Sequence, residues 1–256
     1  MPSISIAIIA HNEEKKLPRA LAGAAWADEI IFADCASTDS TLALAEKSKA
    51  KIFQRPNSLA VHVNKQFAID RASCDWIFIL DADEEITAPL AAEILKKISN
   101  PGQYAAFRLP RKNFYYDKWL KHGGKYPDMQ IRLFKKNLAR YQPLLVHEKL
   151  EISGDTGELI NPLIHYPCSD DLDFSRKLEF YGEIVSENYF ESNTSVFYAS
   201  IRPYLKFFNS LVLKRGILDG KAGVLTAFRD LKTLNLAREK FIEKRRGRSP
   251  RLFRQK

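Results

Sequence analysis

The sequence predicts an α/β domain on a doubly wound, mostly parallel sheet, and three observations carry that expectation. Short apolar runs alternate with helix-like segments through the first hundred residues, the pattern of right-handed βαβ units. Three of those runs stop abruptly in polar clusters, as buried strands do where an open α/β sheet binds its ligand. The 256 residues are 45% hydrophobic and 28% charged, enough chain and apolar content for one large domain with an appendage.

The elements follow in order. Residues 3–10 alternate small polar and apolar side chains and read as the first strand, with a helix expected over 17–25. Residues 29–33 form a second strand that ends at Asp34, and Ser37-Thr38-Asp39-Ser40 supplies cap residues for a helix through 42–48. A short strand at 51–54 and a helix at 63–72 precede a fourth strand at 75–80. Asn100-Pro101-Gly102 closes this half. Strands at 103–110, 129–135 and 149–153 then predict a mixed second half, with loops rich in Gly, Tyr, Trp and Lys between them. Helices are expected at 171–189, 203–213 and 224–244, and residues 245–256 are expected to fray. The expected division is a catalytic domain at 1–196, with halves 1–100 and 101–196, and a basic, amphipathic helical extension at 197–256.

Charge separates along the chain. Residues 197–256 hold sixteen Lys/Arg and four Asp/Glu, a balance of +12, which leaves −3 for the rest of a chain whose total is +9. Such an extension suits an anionic membrane surface, nucleic acid or solubility. Cys35, Cys74 and Cys168 are odd in number and widely spaced, which fits neither a disulfide framework nor a metal cluster and implies a reducing, cytoplasmic setting. Cys35 reads as a small filler more readily than as a reactive thiol. The N-terminus lacks the basic region of a signal peptide, and no apolar run reaches the ~18 residues of a membrane span.

The most informative stretch is 76–85, Trp-Ile-Phe-Ile-Leu-Asp-Ala-Asp-Glu-Glu. Asp81 and Asp83, two apart in extended chain, can aim at one point, and two hard carboxylates suit Mg²⁺ or Mn²⁺ carrying a substrate diphosphate. Alone, this pattern would read as a solvated turn ahead of a helix, with Glu84 and Glu85 only favouring the helix N-terminus. The context reverses that reading. His11-Asn12-Glu13-Glu14, Asp34 with Ser37-Thr38-Asp39, and Asp81-Ala82-Asp83-Glu84 stand at three strand ends and would share one cleft. Such a cleft binds a metal–diphosphate complex and accepts hydrogen bonds from ribose and base. The glycine fingerprint of dinucleotide sites is absent after every strand, which argues against nicotinamide and flavin.

Those clusters, with Lys65-Gln66, resemble the family 2 glycosyltransferases and their nucleotide-sugar-binding GT-A fold. His122-Gly123-Gly124, Tyr126-Pro127-Asp128, Gln130-Ile131-Arg132-Leu133-Phe134, Val146-His147-Glu148 and His165-Tyr166 look like the branch that adds glucose to heptose in the lipopolysaccharide inner core. Lys125 stands where that branch has an aromatic residue. The resemblance implies that Asp34 holds uracil, with Asn12 and Glu14 near the nucleoside. Asp83 would ligate the metal, with Asp81 on the ribose or on the metal through water, and His147 or His165 completing the shell. Lys65 would lie beside the diphosphate, Arg132 would compensate its charge, and Asp128 would be the catalytic base. The implied reaction is inverting transfer of glucose from UDP-glucose to a heptose of a lipid A-core acceptor, by an enzyme held through 197–256 on the anionic inner face of the cytoplasmic membrane. Competing expectations are a nucleotidyltransferase, disfavoured by His-Asn-Glu-Glu where a Gly-rich basic loop would stand, and a nucleic-acid-binding protein, disfavoured because the basic extension carries no recognisable nucleic-acid module.

Overall fold

Alternating Ile and small residues make the first strand, β1 (Ile4–Ala10), pair on both sides. The computed structural model describes residues 2–58, 60–142, 150–168 and 171–247. In chain order the elements are β1, α1 (Leu17–Ala24), β2 (Glu29–Asp34), α2 (Thr41–Glu46), β3 (Lys51–Gln54), α3 (Val61–Arg71), β4 (Trp76–Asp81), β5 (Glu84–Glu85), α4 (Ala88–Ser99), β6 (Tyr104–Tyr115), β7 (Lys118–Trp119), β8 (Asp128–Lys135), β9 (Ala139–Tyr141), β10 (Leu150–Ile152), β11 (Asp155–Glu158), β12 (Leu163–His165), α5 (Asp171–Glu191), α6 (Val196–Phe208) and α7 (Gly220–Arg245). The main sheet runs β3-β2-β1-β4-β8-β6-β12-β5. β3, β2, β1 and β4 are parallel. β8 enters antiparallel to both β4 and β6, which makes the second half mixed.

Strand period two gives the sheet two apolar faces. Ile4, Ile6, Ile8, Trp76, Phe78 and Leu80 point to one, under α1, α2 and α4. Ala7, Ile31, Ile77 and Ile79 point to the other, under α3 and the β9–β10 ribbon. Helices on both faces match the doubly wound expectation. α4 buries Leu90, Ala91, Ile94 and Ile98 at helical spacing, and the Thr87 side chain caps it by accepting from the Leu90 N–H. A Cβ at Gly23 would lie 2.9 Å from the backbone N and O of Ile86, so only glycine lets α1 pack on the segment that follows the acidic motif.

Two differences from the sequence reading matter. Glu84–Glu85 is a short strand, and β6 runs through Pro110 to Tyr115 instead of stopping at the proline. The chain also divides differently from the expected 1–196 and 197–256. One compact unit comprises Met1–Asn113 and most of residues 127–167, and the other comprises Phe114–Tyr126 and the chain from Cys168. In the second unit α5, α6 and α7 pack together around Tyr189, Ala199, Ala237 and Phe241. Buried Lys244 of α7 donates to Ser186 Oγ at 2.8 Å and meets Glu183 and Glu187 of α5. No helix among the described residues is long and apolar enough to cross a membrane.

Glu29 opens β2 opposite Ser5 and is buried. It accepts from Ser5 Oγ (2.5 Å), the Ser73 N–H (2.7 Å) and Lys51 Nζ (2.6 Å). Burial alone would raise its pKa, but the Lys51 ammonium and the serine donors outweigh it and hold the carboxyl at about 2, against an ordinary 4.5. A depressed carboxylate stabilises the fold above its ordinary value and loses that contribution as pH falls toward the folded value. Acid unfolding is therefore expected to show a stability slope between about pH 4.5 and 2 worth about 2–3 kcal/mol. Glu29→Gln should flatten it, as read by denaturant titration at several pH values. An unchanged slope would assign the acid limb to other carboxylates.

Candidate active site

The parallel register sets the site. β1 pairs Ala10 with Asp34 of β2 and Ile9 with Asp81 of β4, so two acidic strand ends flank β1. Asp34 is buried; its Oδ2 accepts from the Ser37 N–H at 3.2 Å, while its Oδ1 is buried with no hydrogen-bond partner. An orphaned buried acceptor is costly unless a ligand donor meets it. Asn12 adopts a left-handed conformation (φ 54°), and its Oδ1 accepts from the Thr38 N–H at 2.8 Å. Glu14 accepts from the Ser40 N–H at 3.0 Å, and Asp39 accepts from the Thr41 N–H at 3.0 Å. The polar loops after β1 and β2 thus brace each other beside Asp34. Cys35 sits beneath them, and burial with the neighbouring Asp34 charge pushes its thiol up to about 11, the state of an inert filler.

At the end of β4, Asp81 Oδ2 accepts from Arg132 Nη2 at 2.6 Å and its Oδ1 lies 3.2 Å from Lys65 Nζ. Burial opposes ionisation of Asp81, but Arg132 and then Lys65 win and hold its carboxyl well below the usual range. Arg132 also donates to Glu84 Oε1 at 2.6 Å, and Arg111 donates to the same oxygen at 3.0 Å. Arg111 Nε and Nη2 then bind Asp128 Oδ2 at 2.9 and 2.8 Å. Arg132 is thereby engaged by protein carboxylates instead of standing open toward a diphosphate.

Asp83 Oδ1 faces His165 Nε2 at 3.5 Å. The other ring nitrogen, Nδ1, donates to Asn113 Oδ1 at 2.6 Å, and Asn113 Nδ2 donates to Asp128 Oδ2 at 3.2 Å. With Nδ1 as donor, Nε2 is turned to the Asp83 carboxylate, a geometry that serves either an imidazolium–carboxylate ion pair or, through its lone pair, a cation shared with Asp83. The sheet enforces this placement: His165 of β12 pairs with Asn113 of β6 and with Glu84 of β5, and Arg111 pairs with Asp128 across β6 and β8. Tyr166 fixes the strand end by donating its N–H to Asp83 O at 2.8 Å while its ring lies under Arg19.

Most sequence-predicted residues therefore converge in the first unit: Asn12, Glu14 and Asp34 at one strand end, and Lys65, Asp81, Asp83, Asp128, Arg132 and His165 around the next. His147 lies outside the described residues. Glu84, Arg111 and Asn113 were missed. Glu84 reads as helix-end decoration yet is buried between two guanidiniums, and Arg111 and Asn113 follow a proline that masks the strand. Lys125, in the second unit, pairs with Asp230 at 2.8 Å.

The family model for Glycosyl transferase family 2 matches residues 5–150, more than half of the chain. The chain belongs to this family. An uncharacterized glycosyltransferase of Rickettsia typhi is 29% identical over 202 residues, covering 77% of this chain and 62% of the relative. The lipopolysaccharide core biosynthesis glycosyltransferase LpsC of Rhizobium meliloti is 25% identical over 170 residues, covering 64% and 63%. The chain thus spans less than two thirds of these relatives' length. The structure of Staphylococcus aureus TarS 1–349 in complex with UDP-GlcNAc superposes with a TM-score of 0.53 at 14% identity, covering 96% of this chain and 92% of that one, and bears out the GT-A fold. An excess of acid over base is visible at the site: Asp81, Asp83, Glu84 and Asp128 lie around Lys65, Arg111 and Arg132.

Asn113 links Asp128 to His165, so on the reading proposed below Asn113→Ala is expected to lower turnover about tenfold or more and to weaken the Mn²⁺-dependent part of UDP binding, with metal-independent binding unchanged. Unchanged Mn²⁺-dependent binding alongside the loss of turnover would confine the role of Asn113 to Asp128.

Proposed function

We propose that the chain is the catalytic part of an inverting glycosyltransferase that takes its sugar from a UDP-sugar. The observation that carries this reading is the pairing of Asp83 with the Nε2 of an Asn113-oriented His165, beside the orphaned Asp34 oxygen. Among the described residues no three His, Cys, Asp or Glu form a ready-made metal cage. Two protein ligands are nevertheless what a Mg²⁺ or Mn²⁺ ion needs when substrate phosphates and water complete its shell. Asp83 and His165 fit that donor set, with Asp81 close by through water. When bound, the ion would neutralise charge on the leaving nucleoside diphosphate.

The chain's own residues do the rest. In this reading the unpaired Asp34 Oδ1 accepts the imide N–H of uracil, with Asn12 and Glu14 holding the loops around the nucleoside. Lys65, already beside Asp81, adds positive charge near the diphosphate. Asp128 takes the proton of the acceptor hydroxyl as that oxygen attacks the anomeric carbon. Arg111, Asn113 and Gln130 all donate to Asp128, and although burial works against ionisation, these donors keep its pKa below the ordinary carboxylate value. Such a base is ionised at neutral pH but weak, so proton transfer is late, when bonding to carbon has made the acceptor oxygen acidic. One displacement inverts the centre, and a UDP-α-sugar gives a β-glycoside.

The finer reading is transfer of glucose to a heptose of the lipopolysaccharide core. The motifs of the second half and the likeness to LpsC support it. A lipid-linked acceptor would bring the enzyme to the cytoplasmic face of the inner membrane. The direct test is donor hydrolysis by the purified protein with a panel of UDP- and GDP-sugars, with and without Mn²⁺. Turnover of UDP-glucose that chelation abolishes supports the reading; no turnover of any nucleotide sugar, with UDP failing to raise the melting temperature, overturns it.

Asp83→Asn keeps the shape and removes the charge. It should cost at least ~10²-fold in turnover and abolish the Mn²⁺-dependent part of UDP binding. Near-normal activity with the fold intact would sink the metal assignment. Asp128→Asn should lose roughly 10²-fold or more in turnover while UDP and Mn²⁺ still stabilise the protein. If UDP binding collapses together with activity, Asp128 serves the donor site and the base is elsewhere.

A further inference from the structure

We propose that α6 and the turns after it form a docking face that seats the protein in the headgroup layer of an anionic bilayer. The sequence placed the basic residues of 197–256 on a membrane as a whole; the structure narrows the contact to one ridge of the second unit, and the inference stands on that unit's surface alone. Phe197 is 74% exposed, and Tyr204, Leu205, Phe208, Val212 and Leu213 are each more than half exposed. Positions 197, 204, 205, 208 and 212 recur at helical spacing, so they lie along one face within roughly a quarter to a third of the helix circumference. The opposite face, with Ala199 and Pro203, is buried in the helical core. A π turn at Asn209–Leu213 and a 3-10 turn at Gly216–Asp219 extend the ridge to Ile217 and Leu218, also more than half exposed.

A stripe of this size left in water marks an interaction surface. Charge selects the partner. Residues 192–221 contain Arg202, Lys206, Lys214, Arg215 and Lys221 and a single acid, Asp219. Asp219 is buried and occupied by His122, accepting from its backbone N–H at 2.8 Å and facing its ring Nδ1 at 2.9 Å. The rim of the ridge therefore has an excess of exposed cations, with the partly exposed Asp230 of α7 near Lys206 alone. A second copy docking through the same patch across a twofold axis would set these cations against each other. A bilayer with acidic headgroups meets both requirements at once, apolar depth under the ridge and negative charge at its rim. The aromatic positions suit that depth, since Tyr198 and Tyr204 have a polar tip on an apolar ring. Farther along α7, Lys240 and Lys244 are neutralised by Glu179, Glu183 and Glu187 of α5 and lie outside this rim's charge.

The test is flotation of the full-length protein with phosphatidylglycerol-containing vesicles and with phosphatidylcholine vesicles, at low and high salt. Donor hydrolysis is measured separately without vesicles, so that a failed catalytic reading and a failed docking face are told apart. The protein is expected to float with the anionic vesicles only, and less at high salt. Phe197→Ser combined with Leu205→Ser and Phe208→Ser should reduce partitioning at least tenfold with melting temperature and hydrolysis unchanged. Arg215→Ser with Lys221→Ser should weaken flotation several-fold and flatten its salt dependence. Absence of flotation at low salt, or equal flotation of the triple serine variant, overturns the proposal. So does a dimer in sedimentation velocity that the triple variant turns into monomer, since a second copy would then be the occupant.

Discussion

The buried Arg132 guanidinium, shared between Asp81 and Glu84, is the contact on which the site depends. It stands on β8, the strand that enters antiparallel beside the parallel set, while its two carboxylates end β4 and form β5. Without a cation there, two carboxylates would face each other in a water-poor space. With it, β4, β5 and β8 are tied at one point, and Arg111 carries the tie from Glu84 to Asp128 on β6 and β8. Burying such charges offers little net stability, because desolvation offsets most of the attraction. What the network supplies is geometry: breaking one member leaves an uncompensated buried charge, so alternative packings of these strand ends are costly. Asp83 and His165 are then held in a fixed relation beside a neutralised cluster.

How far the sequence disclosed this follows from the range of each interaction. The βαβ half was legible because strand period, helix spacing and polar strand ends are local signals, and the strand at Lys51–Gln54 was read to its last residue. Asp34, Asp81 and Asp83 were legible for the same reason, since each stands where an apolar run stops. Glu84 was not, because the meaning of a carboxylate after a strand depends on cations 27 and 48 residues away. Asn113 was hidden twice, by Pro110 and by partners on β8 and β12 that only sheet register brings near. The prompt that Asp128 mattered came from resemblance; nothing local marks a carboxylate after a proline as different from a turn residue.

The loops show a related limit. Sequence reading treated Ser37, Thr38 and Asp39 as caps for α2, and Asp39 does accept from the Thr41 N–H. The same loop also braces the one after β1, through Ser37 Oγ accepting from the Asn12 N–H at 3.0 Å and Thr38 donating to Asn12. Asn12 can serve because a short polar side chain tolerates the left-handed backbone that the turn requires. The loop positions that cap a helix and those that shape the nucleoside side of the cleft are therefore largely the same residues. A substitution there alters local stability and ligand geometry together.

Charge counted along the chain misled in an instructive way. A boundary at 196/197 assigns +12 to the C-terminal segment, but it separates α7 from the helix that neutralises it. Glu179, Glu183 and Glu187 lie on α5, before that boundary, and pair with Lys240 and Lys244 after it. Lys206 of α6 likewise approaches Asp230 of α7. Once these pairs are removed, Lys214, Arg215 and Lys221 remain exposed in the turns after α6 and at the start of α7, while Lys232, Arg245 and Arg246 stay exposed farther along. Helical packing, and not sequence position, decides which of the described basic residues can meet a partner. The same packing buries Ala199 and Pro203 while leaving Phe197, Leu205 and Phe208 in water, so one folding event creates both the apolar ridge and its positive rim.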